Sequence, residues 1–441
     1  MIKQCAFLSV CLFLGGMNVS AQEEGEVTEW TLRSCLDYAL ANNIQIKKSK
    51  VSLQSGLEDT KEAKARLFPS LTASVTQGFV NYPSNGVIDN NSYSGNYSVT
   101  ANWTLFDGGQ RYQALKQQKL QNTIDELSVN QNENDIRISL IQAYMQVLYS
   151  MEAVHINENT VEVSRAQRDR AIELLKAGSI SKVDLAQLES QYSTDQYQLV
   201  VAKTTLDNYK LQLKQLLELD ITQEIELVMP ELTDEDILEP LPDKKVIYAT
   251  SLSVMPEIES GKLAVDVAEL EKKKAWGAFL PTLSMNAGIG TGHLSGTDYT
   301  FGSQIWDKFN ESIGLTISIP IFSNRQYKTA YNKAKYALTT SRLDLADSEK
   351  QLLRNVESVY LDAISAQNQY TSATERLSYV TESYTLTEEQ FNLGMKNTVE
   401  LLTEKNNFLT AQQERLQAKY MALMSIQILN VYQAKPIAES F

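Results

Sequence analysis

Apolar residues recur at every seventh position along the segment that follows Gly178. One row comprises Leu185, Tyr192, Leu199, Leu206 and Leu213, and a neighbouring row comprises Leu188, Ala202, Tyr209 and Leu216. Near the far end of the chain, Leu402, Leu409, Leu416 and Leu423 repeat the pattern. Strict sevens predict helices that supercoil against partner helices. The heptads alone fit a soluble coiled coil or an adhesin stalk as well.

Glycine and proline, the residues that most often end helices, are scarce along the chain. Residues 84–229 hold no proline, and Gly178 is the only glycine in residues 110–229. Residues 321–435 also lack proline, and Gly394 is the only glycine after residue 315. Each half therefore predicts two helices joined at one glycine turn. The predicted helices are 110–177 and 182–218 around Gly178, and 323–392 and 398–432 around Gly394, with shorter ones at about 34–66 and 245–279.

Four other segments alternate apolar and polar residues with a period of two, which predicts strands with one apolar face. These strands lie at about 70–80, 93–106, 282–291 and 311–321. The apolar positions of the second and fourth strands are Tyr97, Val99, Ala101, Trp103 and Leu105, and then Ile313, Leu315, Ile317 and Ile319. Such strands are typical of outer-membrane barrels, with the apolar face toward lipid. A soluble antiparallel sheet covered on one face would alternate in the same way.

The order of elements occurs twice, which indicates a tandem duplication. Residues 67–71 recur at 279–283, an offset of 212, and the later matches, such as Gly178 with Gly394, have an offset of 216. The sequence thus predicts a first repeat at 22–218, a connector at 219–244, a second repeat at 245–432 and a tail at 433–441. The predicted fold is mainly α with a small β part.

Helix lengths and strand number set limits on the assembly. Each long helix would reach about 100 Å, and two short helices stacked end to end would match it. Four strands cannot close a barrel, because about eight is the smallest number. Three copies would give twelve strands and, with each stacked pair of short helices counted as one, twelve helical columns. Both numbers allow a closed cylinder.

The N-terminal residues and the charge narrow the function. Lys3, the apolar stretch after it and Val19-Ser20-Ala21 predict a signal peptide at 1–21, and so a place outside the cytoplasm. A net charge of −14 argues against nucleic-acid binding. The two histidines, His155 and His293, join no cluster with ligand spacing, and no catalytic motif is present, so we expect no enzyme, metal or cofactor.

The chain resembles the TolC-type outer-membrane efflux protein family over the whole region after residue 21. The resemblance rests on short motifs before and after the strands and at one turn, namely Phe68-Pro69-Ser70-Leu71, Leu280-Pro281-Thr282-Leu283, Leu105-Phe106-Asp107-Gly108-Gly109 and Phe391-Asn392-Leu393-Gly394. It implies a homotrimer in the outer membrane, with a 12-stranded β-barrel in lipid that continues into a 12-helix periplasmic α-barrel. It also implies a periplasmic adaptor protein and an inner-membrane RND or ABC transporter as partners. A periplasmic coiled-coil adaptor or adhesin is the alternative.

The same resemblance assigns residues to the periplasmic end of the tube. It implies adaptor-docking tips at Ala177-Gly178-Ser179 and Leu393-Gly394-Met395. It implies a gate formed by Asp184, Lys396, Glu400, Phe391 and Thr403, in which Asp184 and Lys396 latch neighbouring hairpins and Glu400 favours cations. A simple left-handed helix cap is the alternative for each glycine, and ordinary solvated helix charges are the alternative for Asp184, Lys396 and Glu400. At the membrane end, and from the residues alone, Tyr97, Trp103 and Trp306 are candidates for an interfacial aromatic belt, with ordinary packing in the sheet as the alternative.

Overall fold

The computed structural model describes residues 30–81, 91–220, 222–230 and 233–436, so the expected signal peptide lies outside the described residues. Ten helices and four strands are defined within these ranges. The helices are α1 Leu32–Asn42, α2 Ile44–Ala65, α3 Gln110–Lys176, α4 Lys182–Leu217, α5 Asp234–Ile237, α6 Lys244–Val254, α7 Pro256–Gly277, α8 Phe301–Asp307, α9 Gln326–Asn392 and α10 Thr398–Tyr432. The strands are β1 Ser70–Asn81, β2 Asn91–Phe106, β3 Thr282–Leu294 and β4 Asn310–Ser318.

The two N-terminal helices of the repeats are each broken once, where the sequence predicts single helices at 34–66 and 245–279. The first break is at Asn43, which has ψ of 131° and whose side chain accepts hydrogen bonds from the amides of Gln45 and Ile46 in the first turn of α2. The second is at Met255, which is extended because Pro256 follows it and disfavours a helical conformation at the preceding residue. Both breaks fall where one short helix meets the end of another.

The short helices meet end to end beside the long ones. The Asn43 side-chain amide donates to the backbone carbonyl of Leu216, near the end of α4, over 3.2 Å. In the second repeat the Ser251 hydroxyl donates to the carbonyl of Tyr432, the last residue of α10, over 2.9 Å. These bonds use carbonyls that a helix end leaves without partners. Each long helix is therefore flanked along its length by short helices in series.

The connector wraps the middle of the helical part. Trp30 and Leu227 form a parallel bridge, and the Tyr144 hydroxyl of α3 donates to the carbonyl of Val228 over 3.3 Å. The Tyr370 hydroxyl of α9 donates to Asp234 in α5 over 2.7 Å. The largest buried apolar cluster lies at this level and includes residues from both repeats and from the connector. The chain is thus most firmly packed at mid-height.

The strands form one antiparallel sheet in the order β1-β2-β3-β4. The registers of β1 with β2 and of β3 with β4 follow the duplication, since Ser70 lies opposite Asn102 and Thr282 lies opposite Ser318. Apolar residues lie opposite apolar residues across the sheet, as in the row Leu71, Ala101, Ala287 and Ile313. One face of the sheet is therefore continuously apolar, and we call it the apolar face.

The second repeat departs from the sequence prediction around its strands. The segment between the strands predicted at about 282–291 and 311–321 contains α8, and β4 ends at Ser318 rather than at about 321. The strand ends two residues before Pro320, which has no amide hydrogen to donate to a ladder. The helix α9 begins at residue 326 rather than 323, because Asn324 and Arg325 adopt positive φ values of 46° and 67°. None of the helices in the described ranges combines the length and the apolar run needed to cross a bilayer.

The two repeats touch closely where the sheet joins the helices. Gly108 has φ of +70°, and a Cβ atom there would lie 2.1 Å from the carbonyl oxygen of Gly277. Gly109 has φ of +80°, but a Cβ atom there would meet nothing within 4 Å. The backbone contact between Gly108 and Gly277 thus leaves no room for a side chain.

These two glycines make a matched pair for a stability test. We expect Gly109→Ala to lower the free energy of unfolding by about 1–2 kcal/mol through backbone strain alone. Gly108→Ala should lower it by about 1–3 kcal/mol more, because the contact with Gly277 must open. Denaturant unfolding followed by circular dichroism measures the difference. Equal losses in the two variants would contradict the close contact.

Candidate functional site

The two hairpin tips have the same backbone structure. Gly178 and Gly394 have φ values of +74° and +75°, a conformation that glycine adopts without strain. The amide of Ser179 donates to the carbonyl of Leu174 over 2.9 Å, and the amide of Met395 donates to that of Gln390 over 2.8 Å. Both tips are thus Schellman motifs that end the long helices.

The tips differ in the side chains that they present. Leu393 and Met395 are 75% and 72% exposed, so the second tip carries two large apolar side chains in solvent. Ala177, Gly178 and Ser179 give the first tip a small and more polar surface. An exposed apolar surface on a rigid turn is suited to binding a protein partner.

Asp184 and Glu400 occupy the same position in the two repeats, the third residue of α4 and of α10. Each completes a capping box, in which its carboxylate accepts from the backbone amide of Ser181 or of Asn397. The Ser181 hydroxyl donates to Asp184 over 2.7 Å, and this bond lowers the pKa of Asp184 below its ordinary value of 3.8. Both carboxylates therefore have a local role as helix caps, apart from any role in a gate.

The second contact of each carboxylate is what distinguishes them. Asp184 accepts a hydrogen bond of 2.9 Å from the Thr398 hydroxyl, which joins the first hairpin to the second. Glu400 instead forms an ion pair of 2.6 Å with Lys396, four residues before it, and this pair lowers the pKa of Glu400. Within the chain, Lys396 thus pairs with Glu400, and the contact between hairpins at Asp184 is made by Thr398.

The other two residues assigned to the gate have different environments. Phe391 is buried, with 7% exposure, and packs in a cluster with Leu188, Tyr384 and Leu401. The Thr403 hydroxyl donates to the carbonyl of Val399, one turn earlier in α10, over 2.7 Å. Phe391 therefore holds the hairpins together near the tips, while Thr403 is an exposed helix residue.

A buried polar cluster above the tips is absent from the sequence prediction. The Lys405 ammonium of α10 lies 2.7 Å from Asp195 of α4 and 2.5 Å from the Ser164 hydroxyl of α3, which also donates to Asp195. Lys405 and Asp195 are 2% and 4% exposed. A signal for it exists, because Asp195 interrupts the heptad row between Leu188 and Ala202. The buried ion pair between Lys405 and Asp195 thus joins the second hairpin to the first.

Removal of one partner of this buried pair should destabilise the chain strongly. We expect Lys405→Met to lower the free energy of unfolding by about 3–5 kcal/mol, because Asp195 is left charged and buried. The double variant Lys405→Met with Asp195→Leu should lose less. The matched control is Lys203→Met, whose pair with Glu158 across α3 and α4 is about half exposed and should contribute less than about 1 kcal/mol. Equal losses for Lys405→Met and Lys203→Met in denaturant unfolding would disprove the assignment.

The residues predicted to face lipid lie on the apolar face of the sheet, except that Leu105 falls in a register shift between Thr104 and Phe106 and Ile319 follows the end of β4. In β4 and just after it, Ile313, Leu315, Ile317 and Ile319 are between 63% and 76% exposed. In β2, Tyr97, Val99, Ala101 and Trp103 are partly covered and Leu105 is 38% exposed. The Trp103 indole donates to the carbonyl of Leu67 over 2.9 Å, so its ring is fixed near the helical end of the sheet. Among the residues that the structure describes, no group of three or more His, Cys, Asp or Glu could hold a metal ion.

Comparison with known proteins decides what this arrangement is. The sequence profile of the outer membrane efflux protein family matches the chain twice, over residues 35–218 and 247–430. The chain belongs to the outer membrane efflux protein family. Members of this family are channels rather than enzymes, and the chain is accordingly a subunit of an outer-membrane channel that serves efflux or secretion. The family match excludes the alternative interpretation of the chain as a periplasmic adaptor or adhesin.

Individual relatives agree with the family. The chain is 23% identical to outer membrane protein TolC of Escherichia coli over 438 residues, which cover 96% of the chain and 85% of TolC. It is 22% identical to alkaline protease secretion protein AprF of Pseudomonas aeruginosa over 300 residues, 68% of the chain and 61% of AprF. The solved structure of the CmeC outer membrane channel of Campylobacter jejuni matches its fold with a TM-score of 0.74 at 16% identity, covering 92% of the chain and 86% of CmeC.

Proposed function

We propose that three copies of this outer-membrane protein close into one tube that passively conducts substrates delivered by an inner-membrane pump and a periplasmic adaptor. The observation that carries the proposal is a missing contact. β2 of the first repeat pairs with β3 of the second, yet the duplicated counterpart of that pairing, β4 with β1, does not occur in the sheet of one chain. The edges β1 and β4 therefore need a neighbouring copy.

The helices lack the corresponding contact. α3 packs against both α2 and α7, whereas its counterpart α9 packs against α7 but, among the described residues, not against α2. One chain also exposes 28353 Å², while a compact monomer of this mass would expose roughly 17,000 Å². A copy of α2 from the next subunit would complete the surroundings of α9. With four strands per chain, three copies supply the twelve strands that the resemblance to the TolC-type family implies.

The duplication predicts which residues meet between subunits. Within one chain Ala101 lies opposite Ala287. Transfer of that pair by the two offsets places Ile317 of one copy opposite Val75 of the next. We expect the double variant Ile317→Cys with Val75→Cys to form disulfide-linked oligomers up to trimers on denaturing gels, because paired Cβ atoms of neighbouring strands lie about 5 Å apart.

The control places the second cysteine at Phe79, four residues farther along β1 and about 13 Å from Val75. Ile317→Cys with Phe79→Cys should remain largely monomeric on the same gels. Equal linking in both double variants, or in neither, would contradict the proposed subunit contact.

We assign the hairpin tips to adaptor docking. The exposed Leu393 and Met395 on the rigid turn at Gly394 supply the apolar surface. Leu393→Ser with Met395→Ser should weaken binding to the cognate adaptor in a pull-down, because the apolar contact area is lost. The same change at the first tip, Ala177→Ser, should alter binding little. Full adaptor binding by the doubly substituted second tip would exclude it as the docking surface.

We assign ion selectivity to the residues just above the tips. Glu400 is paired with the cation of Lys396, whereas Asp184 is held by hydrogen bonds from Ser181 and Thr398. The balance of charge between Glu400 and Lys396 can therefore be shifted by changing either partner. In a reconstituted channel, Glu400→Gln should lower the preference for cations, since Lys396 is left unpaired, and Lys396→Met should raise it. Reversal potentials under a salt gradient measure both. Unchanged potentials in both variants would remove the pair from the conduction path.

A further inference from the structure

The short helix α8 folds back onto the apolar face of the sheet instead of extending beyond the strand ends. The Thr291 hydroxyl donates to the carbonyl of Ile305 over 2.5 Å, and the Gln304 side chain exchanges hydrogen bonds with the backbone of Leu294 over 2.8 and 3.0 Å. The ring centroids of Phe301 and His293 lie 4.7 Å apart. Thr291 and His293 continue along β3 the side-chain row that contains Ile289, so α8 covers the end of that row.

The position of α8 coincides with the upper limit of the apolar row. On β4, Glu311 lies opposite Ile289 and is the first charged side chain on the apolar face in the direction of α8. On β1, Gln77 is level with His293 through Gly95, and its side-chain amide donates to the Tyr97 hydroxyl over 2.8 Å, so polar groups enter the face beside α8 on that strand as well. The apolar part of this face is suited to the hydrocarbon core of a membrane. Because α8 lies where that part ends, it lies at the height where hydrocarbon gives way to headgroups.

The outward surface of α8 is aromatic. Gln304 faces the sheet and is buried, whereas Trp306 is 81% exposed. At 3.6 residues per turn, Trp306 lies nearly opposite the side formed by Phe301, Gln304 and Ile305. Other aromatic residues flanking the helix are exposed as well, namely Tyr299 at 67% and Phe309 at 50%. Tryptophan and tyrosine prefer the membrane interface, where an apolar ring and a polar group are both accommodated.

We propose that α8 and its flanking aromatic residues form an interfacial anchor that inserts Trp306 among the lipid headgroups of the outer leaflet. The inference rests on the proposed function and on the expectation from the strand pattern that the apolar face of the closed sheet meets lipid. A bilayer is the favoured occupant because α8 covers β3 directly beyond Ile289, the last apolar side chain of that strand on the apolar face, and the charged Glu311 lies opposite Ile289, as expected where hydrocarbon ends. The corresponding residues of the first repeat, 82–90, lie outside the described residues.

Depth-dependent fluorescence quenching tests the anchor on the intact protein. The channel is reconstituted in phosphatidylcholine vesicles that carry bromine either near the headgroup end or near the methyl end of the acyl chains. The emission that is lost in Trp306→Phe reports Trp306 alone, and this exposed position should tolerate the change. Shallow bromines should remove more of the Trp306 emission than deep ones, and aqueous iodide should quench it less than free tryptophan.

The variant Leu315→Trp, made in the Trp306→Phe background, reports the middle of the apolar face. Deep bromines should quench this probe more than shallow ones. If Leu315→Trp behaves so while Trp306 responds to iodide like free tryptophan and to neither lipid, the anchor is disproved and the proposed function stands. If neither lipid quenches Leu315→Trp, the lipid-facing sheet fails and the anchor fails with it.

Discussion

Backbone hydrogen bonding at the two open edges of the sheet is the constraint on which the rest of the structure depends. A strand edge in lipid has no water to satisfy its amides and carbonyls, so a sheet in the membrane must close on itself. The chain forms four strands and leaves β1 and β4 unpaired on one side in its own sheet. Closure must therefore come from other copies, and the helical part has to follow the same symmetry because each strand leads directly into a helix.

The duplication explains how one chain specifies such an assembly. The contacts between its two repeats, such as Gly108 against Gly277, are formed within the chain. In the proposed assembly, the equivalent contacts between copies use the same strand registers and helix faces. In the second repeat, Asn324 and Arg325 adopt the positive φ values that Gly108 and Gly109 have in the first. The connector and the core at mid-height then hold the two repeats of each copy in fixed relation.

Much of this architecture could be predicted from the sequence because the spacing of apolar residues differs between its helices and its strands. The heptads, the two lone glycines and the alternating strands mark α3, α4, α9, α10 and the sheet. The break at Met255 has a local signal in Pro256, whereas the break at Asn43 was harder to predict because it depends on the helix end that it meets in space. The helix α8 was missed for a similar reason, since it is too short to show a period and is held by side-chain bonds of Gln304 and Thr291.

The sequence indicates where the residues assigned to the candidate site lie along the helices, but it indicates few of the contacts that they form. Asp184 and Glu400 lie near the tips, and the spacing of Ser181 with Asp184 and of Asn397 with Glu400 is a capping-box signature that the sequence offered. Spacing cannot show, however, that Lys396 pairs with Glu400 rather than with Asp184. The pair of Lys405 and Asp195 joins residues 210 positions apart, and only the gap at Asp195 in a heptad row hints at it.

The most direct test of the closed assembly is the mass of the purified protein, measured by light scattering or native mass spectrometry with the detergent contribution subtracted. The account predicts a particle of three chains that needs detergent or lipid to stay in solution. A well-folded, monodisperse single chain in detergent-free buffer would contradict it.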